Sequence, residues 1–374
     1  MTVVFASNYY NHHQASLACA LDELTDHHFY FIETAVMSES RRQMGYGMES
    51  IPAFVLQAYR SVDEYQRCKQ LAYDADIVIW GECPMEMIRP RLKKKKLTFC
   101  YSERIFKKGF KGIEYWGRVA KYIKNLGLYQ KNHYLLCASA YASGDYNRIG
   151  LFRGRAYRWG YFPEVKEYDV DSLLVSKTPN SLLWAGRFLN WKHPEQAIEV
   201  ARRLREDGIS FEMNIIGDGS LGELMKKMVS QHHLEDCVHL LGFRKPEDVR
   251  RYMEQSELFL FTSDQNEGWG AVLNESMNSG CIVIANEQIG SVPYIVQSGV
   301  NSIAYTGETD ELYQKVKEML EQKEKYAPLG RQAYQTMHET WNAKTAAQRL
   351  LHFAETLEPI YTEGPMSLAI EHRN

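Results

Sequence analysis

Short apolar runs recur along the chain, separated by stretches of mixed polarity. In the first half they are TVVFAS, HFYFIET, ADIVIW, LTFCYS, YLLCAS and YRWGYF. In the second half they are SLLWAG, FEMNIIG, VHLLGF, ELFLFTS, CIVIANE and SIAY. The runs are continuous rather than alternating, as parallel strands buried on both faces require. Between them, stretches such as 193–207 and 310–322 carry apolar residues at helical spacing. Strand and helix in regular alternation predict an α/β protein built on open parallel sheets. Two sets of six strands predict two Rossmann-like domains. The polar, aperiodic stretch 163–180 marks the boundary. The division expected is 1–166, a linker at 167–180, a second domain at 181–340, and a C-terminal helix with a tail at 341–374. Open α/β sheets bind ligands beyond the carboxyl ends of their strands, near the point where strand order reverses. Two such domains facing each other create one central cleft, so residues just after strands are the candidates for chemistry.

Composition adds limits. The chain has 374 residues, 45% apolar and 24% charged, which excludes a disordered, collagenous or membrane-bundle protein. No run approaches the roughly 18 apolar residues of a membrane span. The opening TVVFASN has no basic leader, and no signal peptide is expected. Seven cysteines without a CxxC pair read as free thiols of a reducing, cytoplasmic compartment. The net charge of -3 conceals segregation. Between Glu86 and Lys131, ten lysines and four arginines face three acids, so the remainder of the chain is strongly acidic.

Two motifs follow strands in the second half. In SLLWAGRFLNWKHPEQ a strand ends at Gly186, Arg187 follows, and Lys192 lies just before a helix expected to begin at about Pro194. Two fixed cations and helix N–H groups suit a diphosphate; a solvated surface loop is the plain alternative. In FTSDQNEGWGAVLNES, Glu267 precedes Gly268, Trp269 and Gly270, and Glu275 lies within the helix that follows. Glycines let a ligand approach the backbone, and carboxylates accept bidentate hydrogen bonds from vicinal hydroxyls. The same pair also fits the acid and nucleophile of a hydrolase, or an N-capping acid with a solvated helix glutamate.

These residues carry a resemblance. Gly186-Arg187 with Lys192, then Glu267-x7-Glu275 around Gly-Trp-Gly, resembles retaining glycosyltransferase family 4 on the GT-B fold. IIGDGS, VHLLGF and GSVPYIV follow in that family's order, and the likeness is specific over 181–305. It implies that Arg187 and Lys192 hold the donor diphosphate and neutralise its leaving charge. It implies that Glu267 and the amides of Gly268, Trp269 and Gly270 contact the transferred sugar, and that Glu275 accepts from the nucleotide ribose. Phe243 and Arg244 would border the base. The first domain would then bind acceptor and the second donor, with a helix at 341–357 returning to the first.

Gly217-x-Gly219-x-x-Gly222 alone fits a dinucleotide fingerprint, but the next strand ends in Gly242-Phe243 without the ribose-binding acid that fingerprint wants. The turn at Gly217 is instead expected to bring backbone near the donor nucleotide. Asp74-Ala75-Asp76 spells a DxD but precedes a strand, so it reads as a helix end and turn; no metal site is expected. The donor is a co-substrate, and no cofactor is called for.

In the first half, Asn8 and His13 follow the first strand, and Ser102 and Glu103 follow LTFCYS. All four are candidates for acceptor binding. The family often has a histidine where Ser102 and Glu103 stand, so no catalytic histidine is carried over. Glu103 is also expected to pair with Arg104 or Lys107. The basic region ends in IEYWGRVAKYIKNLGLYQK, where Ile113, Trp116, Val119, Ile123 and Leu126 share a helical face. A basic amphipathic helix with a tryptophan suits a membrane interface, and neighbouring lysines attract anionic lipid; packing on the chain's own sheet is the alternative. No nucleic-acid module is present.

The expectation is a retaining hexosyltransferase of polysaccharide or glycolipid synthesis. It would use a nucleotide-sugar donor, UDP favoured, and a carbohydrate or lipid-linked acceptor. Peripheral contact with an anionic membrane would run through 89–124. A catalytically inactive nucleotide-sugar-binding partner and, further off, an NAD-dependent oxidoreductase are the competing readings.

Overall fold

A computed structural model describes residues 1–41, 47–48, 50–107, 109–110 and 112–369. Two compact units emerge, one of residues 1–163 with 342–374 and one of residues 164–341.

The first unit is a parallel sheet of β1 (Val3–Ser7), β2 (Phe29–Glu33), β3 (Val55–Gln57), β4 (Ile77–Trp80), β5 (Thr98–Ser102), β6 (His133–Cys137) and β7 (Ala156–Arg158). Their order is β3-β2-β1-β4-β5-β6-β7, so the direction of strand progression reverses between β1 and β4. Among the described residues the sheet therefore has seven strands, not six. The extra one, β3, is the three residues Val-Leu-Gln at the sheet edge, too short and too half-buried to make an apolar run. The run YRWGYF also ends as a strand at Arg158; Trp159 and Phe162 are buried for packing, outside regular pairing. The C-terminal helix Ala343–Thr356 belongs to this unit, and its Phe353 packs edge-on against Phe99 and Tyr134.

Helix Val62–Asp74 ends at the first aspartate of the DxD, and Asp76 accepts from the Thr2 amide at 2.8 Å. Arg91 is fully buried and donates to the carbonyls of Ala75, Asp76 and Leu97 at 2.5, 2.7 and 2.6 Å. Arg104 is likewise buried, against Asp145. These two cations of the basic region are thus structural, and Lys108 and Lys111 lie outside the described residues.

The second unit is a parallel sheet of β8 (Thr178–Ala185), β9 (Glu212–Ile216), β10 (Val238–Gly242), β11 (Ser256–Phe261), β12 (Ile282–Asn286) and β13 (Ile303–Tyr305). The order β10-β9-β8-β11-β12-β13 places the reversal between β8 and β11. Helices Pro194–Glu206 and Thr309–Glu321 set Ala197, Ile198, Ala201, Leu312 and Val316 against the buried faces of the strands. The stretch 163–180 contains a short helix, Val170–Val175, and the start of β8. All seven cysteines are free thiols.

Candidate functional site

The loops after β8 and β11 leave the sheet on either side of the reversal, and they are tied together. Trp184 Nε1 donates to Thr262 Oγ1 at 2.8 Å, and that hydroxyl donates to the Lys192 carbonyl at 2.7 Å. The Asp264 amide donates to the Trp191 carbonyl at 3.0 Å. Lys192 is thereby held on a single 3-10 turn, Asn190–Lys192, immediately before helix Pro194–Glu206. Its ammonium lies 4.6 Å from the Trp191 ring centroid and pairs with the carboxylate of Glu267. Ser263 Oγ donates to the same carboxylate at 3.1 Å.

Arg187 is exposed, and its guanidinium has no hydrogen-bond or ion-pair partner among the described residues. Glu275, on helix Val272–Asn278, is only partly exposed and its carboxylate has no hydrogen-bond or ion-pair partner among them. Desolvation pushes the Glu275 carboxyl above the usual glutamate value, opposed by Arg250. A cation and a carboxylate left unsatisfied at a strand-order reversal are the groups a ligand would complete.

Glycines serve the packing of these loops. Gly217 has φ +150°, and a Cβ there would lie 1.8 Å from the Gly186 carbonyl oxygen. Its amide donates to the Gly242 carbonyl at 3.0 Å, joining the ends of β8, β9 and β10. The close approach is to the chain's own backbone, which accounts for the glycine without a dinucleotide. Phe243 and Arg244 are exposed on the adjoining loop, with Arg244 Nη1 donating to the Phe243 carbonyl at 3.0 Å. Gly268 and Gly270 flank Trp269, whose indole is buried beside Trp341 and Tyr294 and donates to Asn274 Oδ1 at 3.0 Å. Trp269 is therefore a packing side chain, and its carbonyl accepts from Ser291 Oγ at 2.6 Å.

His193, which the sequence motif passed over, caps the helix in the left-handed region at φ 48°. Its Nδ1 lies 3.0 Å from Glu195 Oε1 and its Nε2 3.4 Å from Asp264 Oδ2. The Glu195 hydrogen bond, reinforced by Asp264 against desolvation, raises the imidazole pKa.

In the first unit, Asn8 follows β1 and Nδ2 donates to Glu82 Oε2, after β4, at 3.1 Å. His13 stacks on Tyr161 with centroids 5.3 Å apart, and the Tyr161 hydroxyl donates to Glu103 Oε1 at 2.5 Å. Glu103 also pairs with Lys107. Burial and the neighbouring His12 push His13 down to about 3, so its ring is neutral at ordinary pH. Ser102 Oγ is spent on the Glu103 carbonyl, at 2.8 Å. Tyr161 thus joins two predicted residues but was missed, because it sat in an apolar run read as strand. Glu82 was legible only through its place after a strand at the reversal.

Among the described residues, no group of three His, Cys, Asp or Glu side chains is placed to hold a metal ion. No helix among them is long and apolar enough to cross a membrane.

This is the fold of GT-B glycosyltransferases. Anabaena HepE, solved with UDP, matches with a TM-score of 0.69 at 16% identity, over 95% of this chain and 100% of that one. TarM matches with a TM-score of 0.68 at 10% identity, over 94% and 98%. Residues 165–336, nearly all of the second unit, match the family model described as glycosyl transferases group 1. The amylovoran biosynthesis glycosyltransferase AmsK of Erwinia amylovora is 32% identical over 149 residues, 38% of this chain and 36% of that protein. WcaL of Escherichia coli, named for colanic acid biosynthesis, is 24% identical over 176 residues, 46% of this chain and 43% of that protein. The matched stretch therefore spans less than half the length of these curated relatives.

Proposed function

We propose that the chain is a retaining glycosyltransferase that moves a hexose-type sugar from a nucleoside diphosphate donor, UDP favoured, to a carbohydrate or lipid-linked acceptor in surface polysaccharide synthesis. The observation that carries this reading is the Lys192–Glu267 pair at the strand-order reversal of the unit that matches group 1 glycosyl transferases, with Arg187, which has no partner among the described residues, on the same loop after β8 as Lys192. The UDP preference is drawn from neighbours such as HepE, solved with UDP.

Arg187 and Lys192 would take the donor diphosphate. An incoming phosphate competes for Lys192 and leaves Glu267 an acceptor for hydroxyls of the transferred sugar, while Glu275 receives the ribose hydroxyls. With retention, the acceptor attacks from the leaving-group face and a phosphate oxygen takes its proton. The protein then contributes positioning and stabilisation of the departing diphosphate, with two fixed cations in place of a metal. Neutral His13, Tyr161 and Glu103 offer the acceptor hydrogen-bonding groups in the first unit.

The experiment is a thermal-shift panel of nucleotide sugars followed by a transfer assay, since a ligand of the native state raises its melting temperature. No shift with any nucleotide sugar would sink the reading; a shift without transfer or hydrolysis would favour the inactive partner.

Membrane contact is part of this proposal. Helix Ile113–Leu126 exposes Ile113, Trp116 and Ile123 at 91, 66 and 46%, and only Val119 and Leu126 of the expected apolar face are buried. Lys93, Lys94 and Lys95 are exposed nearby in the chain. Apolar anchors with lysines suit the headgroup region of an anionic bilayer.

A further inference from the structure

Glu33 ends β2 and is 6% exposed, yet no cation among the described residues pairs with it. Its Oε1 accepts from the Tyr10 amide at 2.7 Å. Its Oε2 accepts from Gln57 Nε2, at the end of β3, at 2.9 Å, and from the Tyr59 hydroxyl at 3.4 Å. The carboxylate lines a cavity of about 260 Å³ whose other walls include Met37, Met48 and Ile51. Among the described residues, no lysine, arginine or histidine lines it.

Withdrawing a carboxylate from water without a counter-ion is costly, and proteins usually offset it with a paired cation. Three hydrogen bonds leave acceptor capacity on Glu33, which has room for about four. Gln57 Oε1 is an acceptor without a partner among the described residues. A floor of carboxylate and amide under a rim of methionine, isoleucine and tyrosine favours a ligand with donating hydroxyls on its edge and C–H groups on its faces. The volume is below the roughly 300–1,000 Å³ of pockets for drug-sized ligands, and suits one ring.

We infer that this cavity, at the carboxyl ends of β2 and β3, is a binding site for one neutral sugar ring of the acceptor, held by Glu33 and Gln57. The identity of that ring as acceptor rests on the glycosyl-transfer reading; the binding itself does not. The site adds Glu33, Gln57 and Tyr59 to Asn8, His13 and Glu103 as determinants of specificity.

Saturation-transfer difference NMR on the full chain, with methyl glycosides of glucose, galactose, mannose and N-acetylglucosamine, tests it. UDP binding is followed in parallel by calorimetry. At least one glycoside is expected to receive saturation. Ile51→Trp fills the mouth without touching Glu33, and it and Glu33→Gln should each weaken that binding about tenfold or more, with UDP affinity unchanged. Signals that survive both substitutions, or that are absent for all four glycosides in the unmodified protein, overturn the inference. Loss of UDP binding in the unmodified protein would instead count against glycosyl transfer, and the glycoside result would still decide the cavity.

Discussion

Lys192, on the turn after β8, and Glu267, on the loop after β11, form an ion pair that bridges the strand-order reversal, with side chains 14 and 12% exposed. Each is the other's counter-ion. A diphosphate would replace Glu267 as partner of Lys192, so the pair stores the charges that donor binding would rearrange.

Lys192→Ala should lower transfer by roughly 10²–10³-fold, the range for deleting one preorganised group that stabilises developing charge. It also leaves Glu267 withdrawn from water and unpaired, at a stability cost of about 1–3 kcal/mol. A Lys192→Ala, Glu267→Gln double-mutant cycle in urea separates the two effects. Full turnover in the Lys192→Ala protein would refute the assigned role.

Glu275→Gln should bind donor more weakly yet melt at a higher temperature near pH 7. The folded-state pKa of Glu275 is raised by desolvation, so its ionised form opposes folding at pH above the usual glutamate value. As pH falls through the raised pKa and then below the ordinary one, that penalty disappears. The advantage of Glu275→Gln in thermal melts should therefore be present at neutral pH and vanish in acid.

His193 gives a pH dependence of opposite sign. Its folded pKa is raised by Glu195 and Asp264, so its stabilisation is complete below the ordinary histidine value and is lost as pH rises through the folded one. Asparagine tolerates the left-handed backbone at this position. The His193→Asn protein should lose that part of the pH dependence in denaturant titrations from pH 6 to 9, a range that brackets the ordinary histidine pKa of about 6.5.

Gly217→Ala and Gly208→Ala should differ sharply, although both glycines have positive φ. At Gly208 (φ +71°) a Cβ meets nothing within 4 Å, whereas at Gly217 it would lie 1.8 Å from a carbonyl oxygen. A cost of about 1–2 kcal/mol is expected for Gly208→Ala, and more than about 4 kcal/mol for Gly217→Ala. Chemical denaturation of the purified variants measures both.

Trp116→Asp combined with Ile113→Asp should reduce sedimentation with anionic vesicles and leave donor binding unchanged. Equal recovery with neutral and anionic vesicles would return the basic helix to a solvated role.

How much was legible depended on depth in each sheet. The central strands announced themselves because β1, β4, β8 and β11 lie between neighbours and under helices, which forces continuous apolar sequence. β3 did not, since an edge strand of three residues needs only one buried side chain. Arg187, Lys192, Glu267 and Glu275 stood out because short motifs after strands carry them. Tyr161, Glu82 and Glu33 did not, since their partners lie 58, 74 and 24 residues away in the chain.

The sequence alone determined the α/β class, the placement of most strands and the second-unit motifs, because burial on both faces and turn chemistry are local demands on residue type. Only the tertiary structure decided which cations are free. Fourteen basic residues between 86 and 131 look alike in a chain. Yet Arg91 is consumed by backbone carbonyls and Arg104 by Asp145, while Arg187, outside that region, has a guanidinium without a partner among the described residues. Charge is written in the sequence, but its availability depends on which groups folding brings within hydrogen-bonding reach.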